Sequence, residues 1–334
     1  MYSYDGKKII LAITPDVKLY QCFKVNLEHI GFQVSIISYY KKFKYNSIKD
    51  RFINILRKVF LKDKTFKKKL IVSQNNNEIL DAISNTHEAD YSLTIRADLF
   101  HEDSINKIIK LAKKNYAYQW DGLSRYPEVK KLIPLFNKFY VFDKKDLNIE
   151  HKTYLTTNFY FDCYAELFNK KEFEYDFYTL CNYDERINKI LSIFEILNNK
   201  GFKLKLVLYS KPKKHLVKYS YITFIQEPIS YYENLINVSK SRGLIDIIDS
   251  TIHGGLSFRI FEALGYDKKL ITTNANILDY DFYNEKNIFY LDNNFETNAF
   301  DDFLKHPFEI IDSSIKSRYS FSSWIDNILN PNFI

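Results

Sequence analysis

Cysteine is scarce in this chain. Cys22, Cys163 and Cys181 are odd in number, widely spaced and free of any Cys-x-x-Cys pairing, so neither a disulfide framework nor a thiolate zinc site is predicted. That usage predicts a reducing, cytoplasmic setting. Long apolar runs are also missing: the run 9–13 is five residues long and stops at Thr14-Pro15-Asp16, far short of the roughly 20 residues a helix needs to cross a bilayer. The same shortness predicts no signal peptide. No recognised nucleic-acid-binding motif surrounds the basic residues, so no nucleic-acid partner is expected. Aromatic residues are abundant, but Lys, Ile, Asn, Tyr and Phe rise together as they do in AT-rich coding, and aromatic content alone is not read as a sugar-binding signal.

At 334 residues the chain exceeds the roughly 250–300 residues at which one core stops growing, so two domains are expected. Its basic excess is concentrated in residues 41–69. There, twelve Lys or Arg face only Asp50 and Asp63, a local net of +10, and a chain total of +7 leaves the remainder at −3. Within the segment Ile48, Phe52, Ile55, Leu56, Val59 and Phe60 repeat at helical spacing, with Lys49, Arg51, Arg57 and Lys58 on other faces. Two readings stay open: a helix lying on an anionic membrane surface, or a core-facing helix with a solvated basic side.

Elsewhere strands and helices alternate. Residues 8–13 and 33–38 read as strands around a helix at 17–30 ended by Gly31. After the basic helix come an Asn-rich turn at 75–77, a helix, a strand at 91–95, a helix at 104–114, and strands at 116–120 and 139–142. A second series follows the aromatic connection 158–164: strands at 175–180, 203–209, 221–225 and 243–248, helices at 187–199 and 231–239, and a last helical stretch at 313–329. Such alternation predicts parallel α/β sheets, whose ligands sit beyond the carboxyl ends of the strands. Asp16, Arg96, Asp98, Asp121 and Arg125 occupy those positions in the first half.

The stretch 253–274, HGGLSFRIFEALGYDKKLITTN, reads as a phosphate-binding turn, a short helix and a return strand. Gly254 and Gly255 allow close approach of backbone to ligand, and Ser257 is placed to cap a helix whose N-terminus favours an anion. Arg259 falls in the first turn. Glu262, three residues on, lies on the same face, where a carboxylate accepts hydrogen bonds from ribose hydroxyls. The plain alternative is a strand, turn and helix with a solvated Glu262 paired to Arg259.

This motif resembles the donor-binding signature of GT-B glycosyltransferases. The runs YAYQWDGLSRYPEV, KFYVFDKKDL, TNFYFD and YDFYNEKNIF extend the resemblance to glycosyltransferases encoded in bacterial capsule and lipopolysaccharide O-antigen clusters. The resemblance implies two Rossmann-like doubly wound domains with a cleft between them: an acceptor-side domain at 1–157, a nucleotide-sugar-binding domain at 158–312, and a terminal helix at 313–334 that packs back on the first. It implies that Arg186 and Lys211 reach the diphosphate and that Gln226-Glu227-Pro228 borders the base. Each of these has a bland alternative as a surface residue. His253, beside the turn, offsets leaving-group charge or makes a structural hydrogen bond.

Many retaining GT-B enzymes carry Glu-x7-Glu, and here the residue eight before Glu262 is Gly254. With the first acid missing, an inverting mechanism is expected, in which a first-domain carboxylate deprotonates the acceptor. Asp121 and Asp98 are the candidate bases, with Asp16 third; each is alternatively a helix cap or an ion-pair partner of Arg96 or Arg125. Asp279-Tyr280-Asp281 matches the metal-binding Asp-x-Asp of GT-A enzymes, but it lies after the donor motif, so no metal is expected, nor any cofactor beyond the nucleotide-sugar substrate. The expected partners are that donor, a glycan or lipid-linked acceptor, and an anionic membrane surface. A nucleotide-sugar epimerase of the same fold, or a non-catalytic binding module, are the rival readings.

Overall fold

Strand and helix alternate in both halves of the chain, and each half closes on its own six-stranded sheet. The computed structural model describes residues 4–39, 43–62, 65–147, 152–169, 172–248, 254–292 and 297–330. The chain divides into two units: Met1–Asp16, Leu27–Val141 and Asp146–Tyr154 make the first, and Val17–Asn26, Phe142–Lys145 and Leu155–Ile334 make the second.

The first sheet runs β2 (Gln33–Ile37), β1 (Lys8–Ala12), β3 (Ala89–Ile95), β4 (Ala112–Gln119), β5 (Lys138–Val141) and β6 (Thr153–Leu155), with parallel pairing from β2 to β5. β1 is buried from Ile9 to Ala12, as a strand covered on both faces must be. Helix α1 (Leu19–His29) ends where Gly31 takes a φ of 103°, which a side chain would resist, and Phe32 N–H returns to Leu27 O at 3.1 Å. Helix α2 (Ile48–Phe60) is capped by Ser47, whose hydroxyl accepts from Asp50 N–H at 3.0 Å.

Two expectations for the first half need correction. The Asn-rich turn is not a turn: helix α3 (Thr65–Ser84) runs through it. Burial of Ile79 and Ile83 outweighs the weak helix propensity of asparagine, and Asn76 accepts from the Ser104 hydroxyl at 2.7 Å. Helix α4 (Glu102–Lys110) starts and stops early, because β4 pairs with β3 from Ala112 onward and so claims the polar residues Lys113 and Lys114. Its N-cap is His101, whose Nδ1 accepts from Asp103 N–H at 3.3 Å.

The second sheet runs β12 (Ile288–Tyr290), β11 (Lys269–Thr272), β10 (Ser241–Asp246), β7 (Tyr175–Asn182), β8 (Leu204–Tyr209) and β9 (Ile222–Ile225), parallel throughout. Strand order therefore reverses between β7 and β10, the place where an open α/β sheet leaves a crevice at its carboxyl edge. Helices α6 (Ile187–Asn199), α7 (Tyr231–Ser239) and α8 (Phe258–Gly265) connect these strands, with α5 (Ala165–Phe168) before β7 and α9 (Thr297–Lys305) after β12. A capping box of Ser230 and Glu233 starts α7. The single terminal helix expected at 313–329 is two, α10 (Ser313–Ser317) and α11 (Phe321–Leu329). Tyr160 breaks it by pairing as a strand: its N–H donates to Tyr319 O at 3.1 Å, and Phe321 N–H donates to Tyr160 O at 2.8 Å. Helix α11 packs Phe321 and Trp324 against Phe23 of α1 and against Phe159 and Phe161, a ring cluster inside the second unit.

Candidate functional site

In the second unit, strand β10 delivers Asp246 to the crevice, where it is buried and accepts from three side chains. These are the Ser257 hydroxyl at 2.9 Å, Arg259 Nη1 at 3.3 Å and Thr272 Oγ1 at 3.3 Å. Ser257 stands at the N-cap position of α8, as its sequence position predicts, but makes no capping bond there; its hydroxyl donates to Asp246. The first N–H groups of α8 thus keep no side-chain cap from Ser257. Arg259 Nη2 also donates to Leu180 O at 2.6 Å, so this guanidinium ties the ends of β7 and β10 together.

The glycine turn is pinned by its carbonyls. Asn276 holds Gly254 O, Asn274 Nδ2 donates to Gly255 O at 3.1 Å, and Asn158 Nδ2 donates to Leu256 O at 2.8 Å. Gly255 is required by close approach, since a Cβ there would enter the Phe142 ring. Gly254 N–H already has an anion: it donates to Asp143 Oδ2 at 2.9 Å, while Lys145 N–H donates to Asp143 Oδ1 at 3.0 Å. The sequence had marked the turn for phosphate. In the structure a buried carboxylate of the same unit holds that position.

Glu262 does not face solvent. It is 3% exposed, accepts from the Tyr231 hydroxyl at 2.5 Å, and burial raises its pKa above the ordinary 4.5 against the opposing pull of Tyr231 and Arg259. Arg186, after β7, makes a fork to Asp184 at 2.9 and 2.5 Å and donates to Ile247 O at 3.2 Å, which brings it to the β7 and β10 ends. The hydrogen bonds from Arg186 hold the Asp184 carboxyl below its usual range. Lys211 and Gln226-Glu227-Pro228 follow β8 and β9 as exposed residues. His253 lies outside the described residues.

In the first unit, Arg96 follows β3 with left-handed backbone, φ 60° and ψ 62°, an unusual conformation for a residue other than glycine. Its guanidinium grips Asp98 with two bonds at 2.7 and 2.9 Å, donates to Asp121, and lies 4.7 Å from the centre of the Tyr126 ring. Burial disfavours this charge, but the bonds to Asp98 and the field of both carboxylates outweigh it and raise the Arg96 pKa. Gln119 Nε2 adds a bond to Asp98 at 2.8 Å. Asp121 also faces Arg125, at 3.4 Å. Of the two acids, Asp98 is enclosed, with a side chain 2% exposed, whereas Asp121 is 13% exposed at its open end. Asp16 is exposed and accepts from the Thr14 hydroxyl at 2.7 Å. The Asp-x-Asp carboxylates are engaged with cations: Asp281 with Arg318 at 2.7 Å and Asp279 with Lys144 at 3.9 Å. Among the described residues no three His, Cys, Asp or Glu side chains gather as a metal site would require.

Sequence reasoning had not singled out Asp143, Asp246, Tyr231, or the three asparagines of the turn. None carries a local signature; Asp143, Asp246, Tyr231 and Asn158 reach the site from separate elements, and Asn274 and Asn276 from the one segment after β11. No family model matches the chain, and no curated protein matches it. Among solved structures it is similar to the UDP-GlcNAc 2-epimerase from Methanocaldococcus jannaschii, at 13% identity and a TM-score of 0.48, over 97% of this chain and 98% of that one.

Proposed function

We propose that the chain is a metal-independent glycosyltransferase of GT-B type that moves a sugar from a nucleotide donor to a lipid-linked or polysaccharide acceptor in bacterial surface-glycan synthesis. The observation that supports this reading is the carboxyl-edge site of the second unit. A glycine turn pinned by three amides leads there into a helix without a side-chain cap, at the reversal of strand order, with Arg186 beside it. In this proposal the diphosphate takes the Gly254 N–H from Asp143, and Arg186 and Lys211 meet its charge. Glu262 turns from Tyr231 to the ribose, and His253, outside the described residues, is assigned the role of offsetting leaving-group charge.

The base in this proposal is Asp121. Both acids are held by Arg96, Asp98 with Gln119 as well and Asp121 with Arg125, but Asp98 is enclosed whereas Asp121 is the more exposed of the two and so the one an acceptor hydroxyl can reach. Asp121 takes the acceptor hydroxyl proton, the oxygen bonds the anomeric carbon, and the bond to the diphosphate breaks with its electron pair leaving on the nucleoside diphosphate. The acceptor lies on an anionic leaflet reached through α2. No helix among the described residues is long and apolar enough to cross a membrane.

A thermal-shift screen against UDP, GDP, dTDP, CDP and CMP sugars identifies the donor, and product analysis then tests the chemistry. A transferase releases nucleoside diphosphate and glycosylates acceptor; return of an altered nucleotide sugar with no release would make the chain an epimerase, and binding with no product a silent module. Asp121→Asn is expected to lower kcat by about 10²–10⁴, with donor affinity unchanged, because a base acts on the acceptor. Wild-type turnover in that variant would remove Asp121 from the mechanism.

A further inference from the structure

The amino edge of the second sheet carries a cavity of about 380 Å³ whose wall includes Phe173, Arg242, Asp267, Lys269, Lys305 and His306. Strands β10 and β11 begin here and end at the carboxyl-edge site, with Asp246 about 13 Å from Arg242 at a rise of about 3.3 Å per residue. Cations dominate the wall, and the nearby carboxylates are committed elsewhere. Asp267 accepts from Lys316 at 2.7 Å and from Asn169. Asp176 stands 3.7 Å from Arg242 Nε and spends its other oxygen on Lys203 N–H at 2.9 Å.

Lys269 is the sharpest case. It is 2% exposed, its ammonium donates to the Phe303 carbonyl and sits 4.4 Å from the centre of the Phe303 ring, and no carboxylate pairs with it among the described residues. An ammonium has three donors, and buried charges are ordinarily paired. Burial first, and the repulsion of Arg242 second, push this lysine down to about 8. Arg242 is in turn held over Phe173, whose ring also lies 4.7 Å from the Lys268 ammonium. The fold thus gathers Arg242, Lys269 and Lys305 around an open space in which, among the described residues, only Arg242 has a carboxylate within 4 Å, that of Asp176.

We propose that this cavity binds a phosphate-bearing anion, held by the Arg242 fork and the Lys269 and Lys305 ammoniums, as a site separate from the nucleotide site. A tetrahedral group with three or more acceptor oxygens meets a guanidinium and two ammoniums at once, and the cavity has room for a small ester behind the phosphate. The assignment stands independently of the glycosyltransferase reading, since it uses none of the carboxyl-edge residues.

Calorimetric titration at pH 7 and constant ionic strength, with inorganic phosphate in one arm and glucose 1-phosphate in the other, tests it. Saturable binding is expected, weakened about tenfold or more in Arg242→Gln and in Lys305→Gln, both exposed positions whose loss does not disturb the core. Lys110→Gln, an exposed cation on α4 outside both sites, is expected to bind phosphate as wild type does. A tighter ester than phosphate identifies a phosphorylated metabolite as the ligand, and equal affinities identify phosphate itself. Titration that does not saturate, affinity unchanged in both cavity variants, or equal loss in Lys110→Gln would overturn the assignment.

Discussion

At the scale of single residues, the turn at Gly254 is a competition between two anions. Asp143 holds Gly254 N–H at 2.9 Å, and an incoming diphosphate must displace that carboxylate and tolerate its charge. Asp143→Asn removes the charge and keeps the shape, so nucleoside diphosphate is expected to bind more tightly by about 1 kcal/mol, roughly the difference between a charged and a neutral hydrogen bond. Calorimetry decides; equal or weaker binding would show that the diphosphate does not use this turn. Glu262 poses a different question, because it is buried against Tyr231. A carboxyl whose folded pKa is raised above 4.5 contributes stability that is present below 4.5 and lost as pH rises through the raised value. Glu262→Gln cannot ionise, so its stability relative to wild type is expected to climb as pH rises from 4.5, read as the difference in denaturant midpoints. A pH-independent difference would mean that Glu262 is not held in an apolar setting. Glu262→Ala, by contrast, strands the Tyr231 hydroxyl and is expected to cost about 1–3 kcal/mol of stability.

At the scale of elements, the aromatic cluster under α11 is the most demanding packing in the second unit. Phe159 is fully buried, with the rings of Phe23, Phe161, Phe258, Phe321 and Trp324 at centroid distances of 4.3–5.6 Å. Phe159→Ala is expected to cost about 3–5 kcal/mol, the range for truncating a buried ring, measured by denaturant unfolding; a loss below about 1 kcal/mol would mean the cluster collapses around the gap. Elements of this kind differ in how far they could be read from sequence. Helices α6 and α7 match their expected spans, Ile187–Asn199 and Tyr231–Ser239, because a periodic apolar face and a capping residue are local signals. The run of α3 through Asn75–Asn77 and the break at Tyr319 were not legible, since they are decided by tertiary partners, burial of Ile79 and Ile83 with the Ser104 bond to Asn76 for one and Tyr160 for the other. The site divides the same way. Its glycine turn and acids stand in one short stretch or at strand ends, whereas Asp143 lies 111 residues from the Gly254 it holds, and only the fold brings the two together.

At the scale of the whole molecule, charge is distributed unevenly enough to have a consequence. The segment 41–69 carries +10 while the rest of the chain sums to −3, and helix α2 inside it buries no residue at all. The reading of α2 as a core-facing helix is corrected here: Ile48 is 89% exposed, Phe60 76%, Val59 64% and Phe52 60%. An apolar face left in water costs free energy, about 25 cal/mol per Å² of apolar surface that a partner could cover. Ser47 caps the helix and Asp50 sits in its first turn, so it is formed before any partner arrives. Basic residues on the flanks and large apolar side chains between them match an anionic leaflet, where each cation near the surface contributes about 1 kcal/mol. Co-sedimentation with liposomes of graded anionic lipid content is therefore expected to rise with that content and to fall with salt, because surface charges are screened over about 8–10 Å at physiological ionic strength. Arg57→Glu/Lys58→Glu reverses two charges beside the apolar face and is expected to abolish the salt-sensitive part, while Phe52→Ser/Phe60→Ser removes the salt-resistant part. Equal sedimentation of wild type and the charge-reversed protein, or none for wild type, would assign α2 to another partner and the acceptor to solution.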